Sequence, residues 1–371
     1  MKKIYIVIFA MIFFISCEVK KEHSKSEEFR INISNTNKSS FVSHLDQIKF
    51  IPLETNDSSI IGRIQSIKIE GDKIYIIDSK TQKVQIFSIK GEYLYSINKI
   101  GHGPEEYIGI TDMQINKRNG HITLLDEAQY KILEFNANGS FVSEKKIPLK
   151  DPLANFAYLD SATLVFYKSF IKNDDDNSIV ICSKDFTQIK KIFPCKKTTS
   201  LLLSPRISLQ NSENQLFYLP IYSQKLFQIK KDEIKEKYTF NFGENNIDLD
   251  VYNQNYSNPT DIFKKLNNGK SIYFLTVLDS KSTVYADFYY KETPYFFVYN
   301  KDTKKTNVFY DEKMSKMFNS FYPYTTNNGK FVSAVSTNHL NEFSNEILKT
   351  NNLDNITSEA NPIVIIYQFK E

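Results

Sequence analysis

The stretch "IKIEGDKIYIIDSKTQKVQIFSIKGEYL", residues 67–94, decides the fold. Apolar residues alternate with polar ones over short runs, at Ile67/Ile69, Ile74/Ile76, Val84/Ile86 and Tyr93/Tyr95. Turn-forming residues separate the runs at Gly71-Asp72, Ser79 to Gln82 and Lys90-Gly91. A period of two interrupted this often describes four short antiparallel strands. The stretch "INKRNGHITLLDEAQYKILEFNANGSFV", residues 115–142, repeats the pattern at an offset of 48, so that Asp78 falls on Asp126, Phe87 on Phe135 and Gly91 on Gly139. A four-stranded unit recurring at this spacing reads as a β-propeller blade.

Weaker copies follow at about 153–193, 206–243 and 271–310. The last copy, "SFYPYTTNNGKFVSAVS" with "NPIVIIYQFK", lacks one strand, while "QIKFIPLE", 47–54, stands ahead of the first blade with no blade around it. The expected architecture is therefore an all-β, six-bladed propeller of four-stranded antiparallel blades over 45–371. Its ring is closed by the N-terminal strand, which removes an exposed edge. Two short helical excursions are expected. "SNPTDIFKKLNNG", 257–269, offers Asn258 as a cap, Pro259 in the first turn and Gly269 past the end. "NHLNEFSNEILKTN", 338–351, puts Leu340, Phe343, Ile347 and Leu348 on one helical face.

Between the first two blades lies "KIGHGPEEYIGITD", 99–112. Here the chain must run from rim to axis, and Gly101, Gly103 and Pro104 suit such a corner, with Tyr107 placed to wedge between blades. "IGHGPEEY" resembles the glycine-proline connector of NHL-type propellers. More closely, it resembles that of a family of six-bladed β-propeller lipoproteins of Gram-negative envelopes, in which a glycine stands where this chain has Glu105. "FIPLET", "KYTFNFG" and "NPIVIIYQFK" are further marks of that family. The resemblance covers roughly 45–371 and implies the fold and an envelope address; most members have no assigned biochemical function.

The N-terminus supplies its own address. "MKKIYIVIFAMIFFISC" has two lysines and an apolar run from Ile4 to Ile15, too short for a membrane span and suited to a secretory signal. "FISC" resembles a bacterial lipobox, with Phe14 in place of the usual leucine. The reading is a signal peptide over 1–16, lipidation at Cys17 and a polar tether over 17–44, giving a lipid-anchored protein of the cell envelope, at the outer membrane. Losing Lys2 and Lys3 takes the formal charge from +4 to +2, with basic and acidic residues scattered. That is no nucleic-acid footprint. The 23 Tyr and 29 Phe favour strands. Cys182 and Cys195 read as buried or idle thiols rather than a bridge, and with no CxxC and no Cys/His cluster a zinc site is not expected. Neither a metal nor a cofactor is expected.

No GxSxG, HExxH or P-loop occurs. His102, Glu105 and Glu106 have the chemistry of an acid–base cluster but no nucleophile beside them, and the connector explains their spacing. "KNDDDNS", 172–178, lacks the glycine and the later glutamate of a calcium loop. Asp160-Ser161-Ala162 resembles a short O-glycosylation sequon. No catalytic residue is assigned. One face of a propeller carries the entries to the innermost strands together with the loops joining second and third strands. On that face the repeat puts Arg63, Asp112 and Arg206 at the entries and Asp78, Asp126 and Tyr222 in the loops. These six are the candidate ligand-binding residues of the funnel mouth. The two aspartates also read as turn caps, with the arginines as their partners. Two functions stay open: a binding or scaffold module for a polar ligand or envelope protein, and an envelope hydrolase or lyase acting on a glycan or peptide.

Overall fold

The computed structural model describes residues 26–168, 176–194, 206–252, 254, 256, 258–312, 314 and 322–370. The signal peptide, Cys17, Cys195 and most of 172–178 lie outside these. Six sheets form the blades of one propeller, each an antiparallel meander of four strands. Blade 1 comprises Ile64–Glu70, Lys73–Asp78, Lys83–Ser88 and Tyr93–Ile97, and blade 2 Asp112–Ile115, Ile122–Asp126, Lys131–Phe135 and Phe141–Lys146. Blades 3, 4 and 5 begin at Leu153, Leu209 and Tyr273. Blade 6 takes Thr325–Asn327, Lys330–Val335 and Ile363–Phe369 from the C-terminal region, and Leu45–Pro52 from the N-terminal region as its outermost strand. Leu45–Pro52 runs antiparallel to Ile363–Phe369, with Ile51 opposite Val364.

The glycine shared by blades 1 and 2 has a packing reason. Gly91 (φ +93°) turns the last hairpin of blade 1 against the carbonyl of Pro52, where a Cβ would collide. Gly139 (φ +84°) does the same in blade 2 against the Tyr95 ring, which a Cβ would approach to 2.8 Å. Each hairpin leans on the outer strand of the blade before it, so one spacing in sequence encodes one contact in space.

The expected polar tether is corrected from Ser26 onward. Glu27–Arg30 adds a fifth, parallel strand to blade 4 along Ile234–Asn241, and Asn37–Lys38 does so on blade 5. Phe29 packs on Tyr238, Phe240, Phe297 and Tyr299 with ring centroids 4.8–5.4 Å apart. Phe41 is fully buried beside Phe296, Phe309 and Phe369. The segment is thus a strap across three blade rims, covering sheet edges that would otherwise stand open.

The helix between blades 4 and 5, Pro259–Asn268, starts where expected: Asn258 accepts from the Thr260 N–H at 3.0 Å, and Gly269 follows its end. The single helix expected over 338–351 is instead a 3-10 segment, Thr337–Glu342, and a short α-helix, Asn345–Thr350. Ser344 breaks it by capping the second piece through Ile347 N–H at 3.3 Å.

Candidate functional site

The innermost strands surround an axial cavity of about 600 Å³ lined by residues of five blades. Arg63, Asp112 and Arg206 all line it. Lys68 and Gln114 sit lower on the same wall and also border a second cavity, of about 470 Å³, that opens among Lys117, Asn214 and Asn328 towards the opposite face. Lys68 donates to Gln114 Oε1 at 3.3 Å, joining blades 1 and 2 at this waist.

Much of the polar wall is blade-to-blade stitching. Gln65 donates to the Thr111 carbonyl at 2.8 Å, and Gln114 to that of Phe156 at 2.5 Å. Gln210 exchanges two bonds with the Asp279 backbone, at 2.9 and 3.0 Å. Asp112 belongs to this set: it is buried and accepts from the Met113 N–H at 2.8 Å and the Phe156 N–H at 3.0 Å. Burial pushes its pKa up, against the pull of the Lys68 charge and of these donors.

Asp78 and Asp126 are corrected as ligand residues. Both are fully buried and neither lines the cavity. Asp78 accepts from the N–H groups of Gly62, Arg63 and Lys80, each at 2.9 Å, and from the Thr81 hydroxyl at 2.8 Å. Burial raises its pKa, but these donors outweigh it and hold the carboxyl below its ordinary value. Asp126 receives Ile108 N–H at 2.9 Å and the Gln129 amide at 2.8 Å. At both repeat positions the carboxylate ties the entry connector to the turn after the second strand. Tyr222 is corrected too: it stacks on Tyr252 at 3.9 Å beneath the helical excursion, away from the cavity.

The arginine side chains find other partners than these aspartates' carboxylates. Arg63 is exposed and its Nε donates to Ser79 Oγ at 2.8 Å. Arg206 pairs with Asp287 of blade 5 and lies 4.2 Å over the Tyr322 ring of blade 6. Asp287 is buried, and desolvation pushes its pKa up to about 6 despite the adjacent guanidinium. Asp287, Lys68, Tyr322 and Tyr324 escape the sequence reading. The alternation of Ile64, Ser66 and Lys68 along one innermost strand is the signal available for Lys68.

The connector 99–112 packs between blades 1 and 2. Tyr107 is fully buried between blades 1 and 2. Its hydroxyl shares its proton between the carbonyls of Gln82 (2.9 Å) and Ile97 (3.0 Å). Glu106 accepts from Gly103 N–H at 2.8 Å, and His102 is exposed. Glu105 adopts φ +65°, so the left-handed turn is kept without glycine. Among the described residues no group of three or more His, Cys, Asp or Glu is placed to hold a metal ion.

Fold and cavity together define a six-bladed propeller with an axial, polar funnel. The chain belongs to the family described as a domain of unknown function, DUF4934, which matches residues 27–368. It is similar in structure to a candidate exported protein of Bacteroides fragilis, with TM-score 0.78 and 19% identity over 94% of this chain and 100% of that one. It is also similar to a DUF4221 family member from Bacteroides vulgatus, with TM-score 0.55 and 11% identity over 88% and 97% of the two chains. Comparison with curated proteins finds no match.

Proposed function

We propose that this protein is a lipid-anchored propeller of the cell envelope that binds a polar ligand in the axial cavity. One observation carries the reading: Arg63 and Arg206, from separate blades, face one concave opening of about 600 Å³ whose wall also holds the buried Asp112 of a third blade. Cavities of that size with a few convergent polar groups are the usual seats of small ligands. The address rests on the signal peptide over 1–16 with Cys17 directly after it, and accords with the candidate exported protein of similar fold. Cys17→Ala is expected to move the protein from the detergent phase to the aqueous one; identical partitioning of both forms overturns the anchor.

The binding site is tested with Ser66→Trp, which places a bulky ring on the cavity wall. A panel of polar metabolites screened by thermal shift is expected to contain compounds that stabilise the wild type and not the variant. If every stabilising compound shifts both proteins equally, the cavity is not the seat.

A further inference from the structure

We infer that the ligand of the axial cavity is a small organic carboxylate with a ring-shaped body, its anionic group drawn in by the cationic side chains of the wall, Arg63, Lys68 and Arg206; this rests on the binding reading above. The inference comes from which charges reach the open space. Arg63 is exposed, Lys68 is half-buried, and Arg206 keeps 35% of its side chain exposed. The carboxylates that balance them are withdrawn. Asp287 is 2% exposed behind Arg206, and Asp112 is 6% exposed with its oxygens engaged by backbone N–H groups. Among the described lining residues Glu127 is the one remaining carboxylate, and it is half-buried. The wall therefore exposes the cationic ends of Arg63, Lys68 and Arg206 against the single carboxylate of Glu127, with the Arg206 charge shared with buried Asp287. A concave opening with low-dielectric sides concentrates such a field.

The choice of carboxylate follows from the donors. Arg206 is held in place by its ion pair on one side and by the Tyr322 ring on its face. A guanidinium fixed in this way presents a planar fork, which matches a planar carboxylate and loses little freedom on binding. The ring-shaped body follows from the rest of the wall. Pro152 and Ile207, both half-buried, give apolar contact, and Tyr324, partly exposed, adds an aromatic face. A lone inorganic anion would leave that surface and most of the volume uncovered.

The test compares one ring in three charge states: glucuronate, glucose and glucosamine, with acetate and inorganic phosphate as ring-free anions. Binding is measured by calorimetry on the wild type, Arg63→Gln and Lys68→Gln. Arg206 is left intact because its removal strands the buried Asp287 charge. Glucuronate is expected to bind at least tenfold more tightly than the other four, to weaken as salt rises, and to lose about tenfold in each variant. Glucose or glucosamine binding as well as glucuronate overturns the anionic requirement and leaves the cavity reading standing. Phosphate or acetate matching glucuronate overturns the ring requirement. Absence of glucuronate binding at tens of millimolar, or equal affinity in wild type and both variants, overturns the proposal whole.

Discussion

Blades 1 and 2 meet differently from blades 5 and 6. The first interface is a repeat of itself: Ile77, Val84, Ile86 and Leu124 pack around Tyr107, and Asp78 and Asp126 tie equivalent turns. The second is aromatic and composite. Phe296, Phe309, Tyr367 and Phe369 close on Phe41, which comes from the strap, and buried carboxylates join them: Asp311 accepts from the Phe41 N–H, and Asp287 pairs with Arg206. The difference teaches that the ring is assembled by two devices. Regular blades stack through local contacts copied along the chain, whereas the closure joins pieces far apart in sequence.

The largest expected effect breaks the closure. Phe41 has no exposed surface, and truncation of a buried Phe costs about 4 kcal/mol. Phe41→Ala should lower stability by that amount in denaturant titrations. A loss below about 1 kcal/mol would mean the strap rides on the ring without holding it.

The two buried aspartates should carry opposite pH signatures. The folded pKa of Asp287 is pushed up to about 6 from 3.8, so the native state binds the proton more readily than the unfolded chain. Stability relative to Asp287→Asn should therefore rise as pH falls from above 6 to 4, by up to about 3 kcal/mol. The carboxyl of Asp78 is held below its ordinary 3.8, so its contribution is present above that pH and fades as pH drops through the lower folded value. Matched pH–stability curves of wild type, Asp287→Asn and Asp78→Asn check both signs; parallel curves would erase the distinction.

The repeat is legible in the sequence because blades 1 and 2 solve the same problem with the same residues. Asp78/Asp126 and Gly91/Gly139 keep one offset since each pair meets an equivalent place in the ring, the entry connector for the aspartates and the outer strand of the preceding blade for the glycines. The closing strand is legible as a strand without a blade. The strap is not, because 18–40 is mostly polar; its alternating Phe29, Ile31 and Ile33 need an edge already built to pack on. The candidate site is legible only in part. Arg63, Asp112 and Arg206 follow from the entry rule, but Asp287 lies 81 positions from Arg206 and meets it only once the ring is closed. Asp78 and Asp126 read as funnel residues because position alone does not tell a carboxylate facing solvent from one facing backbone amides.

Smaller effects sharpen the blade 1–2 side. Tyr107→Phe removes the hydroxyl shared by Gln82 and Ile97 and should cost about 1–2 kcal/mol. An unchanged melting temperature would show that those carbonyls find water. Smallest is Glu105→Gly. Its φ of +65° is strained for a side chain, and its contact with Lys99 at 3.9 Å is exposed and contributes little. A gain of about 0.5–1 kcal/mol is expected on the same assay, and a loss would mean the glutamate side chain itself supports the turn.

The central claim, that the axial cavity seats the ligand, is tested most directly by light. The chain contains no tryptophan, so Tyr324→Trp places a single reporter on the cavity wall. Titration with glucuronate should change its emission saturably, and adding Arg63→Gln should shift the midpoint about tenfold. Emission that stays constant while calorimetry on the same variant records binding would put the ligand elsewhere and contradict the account.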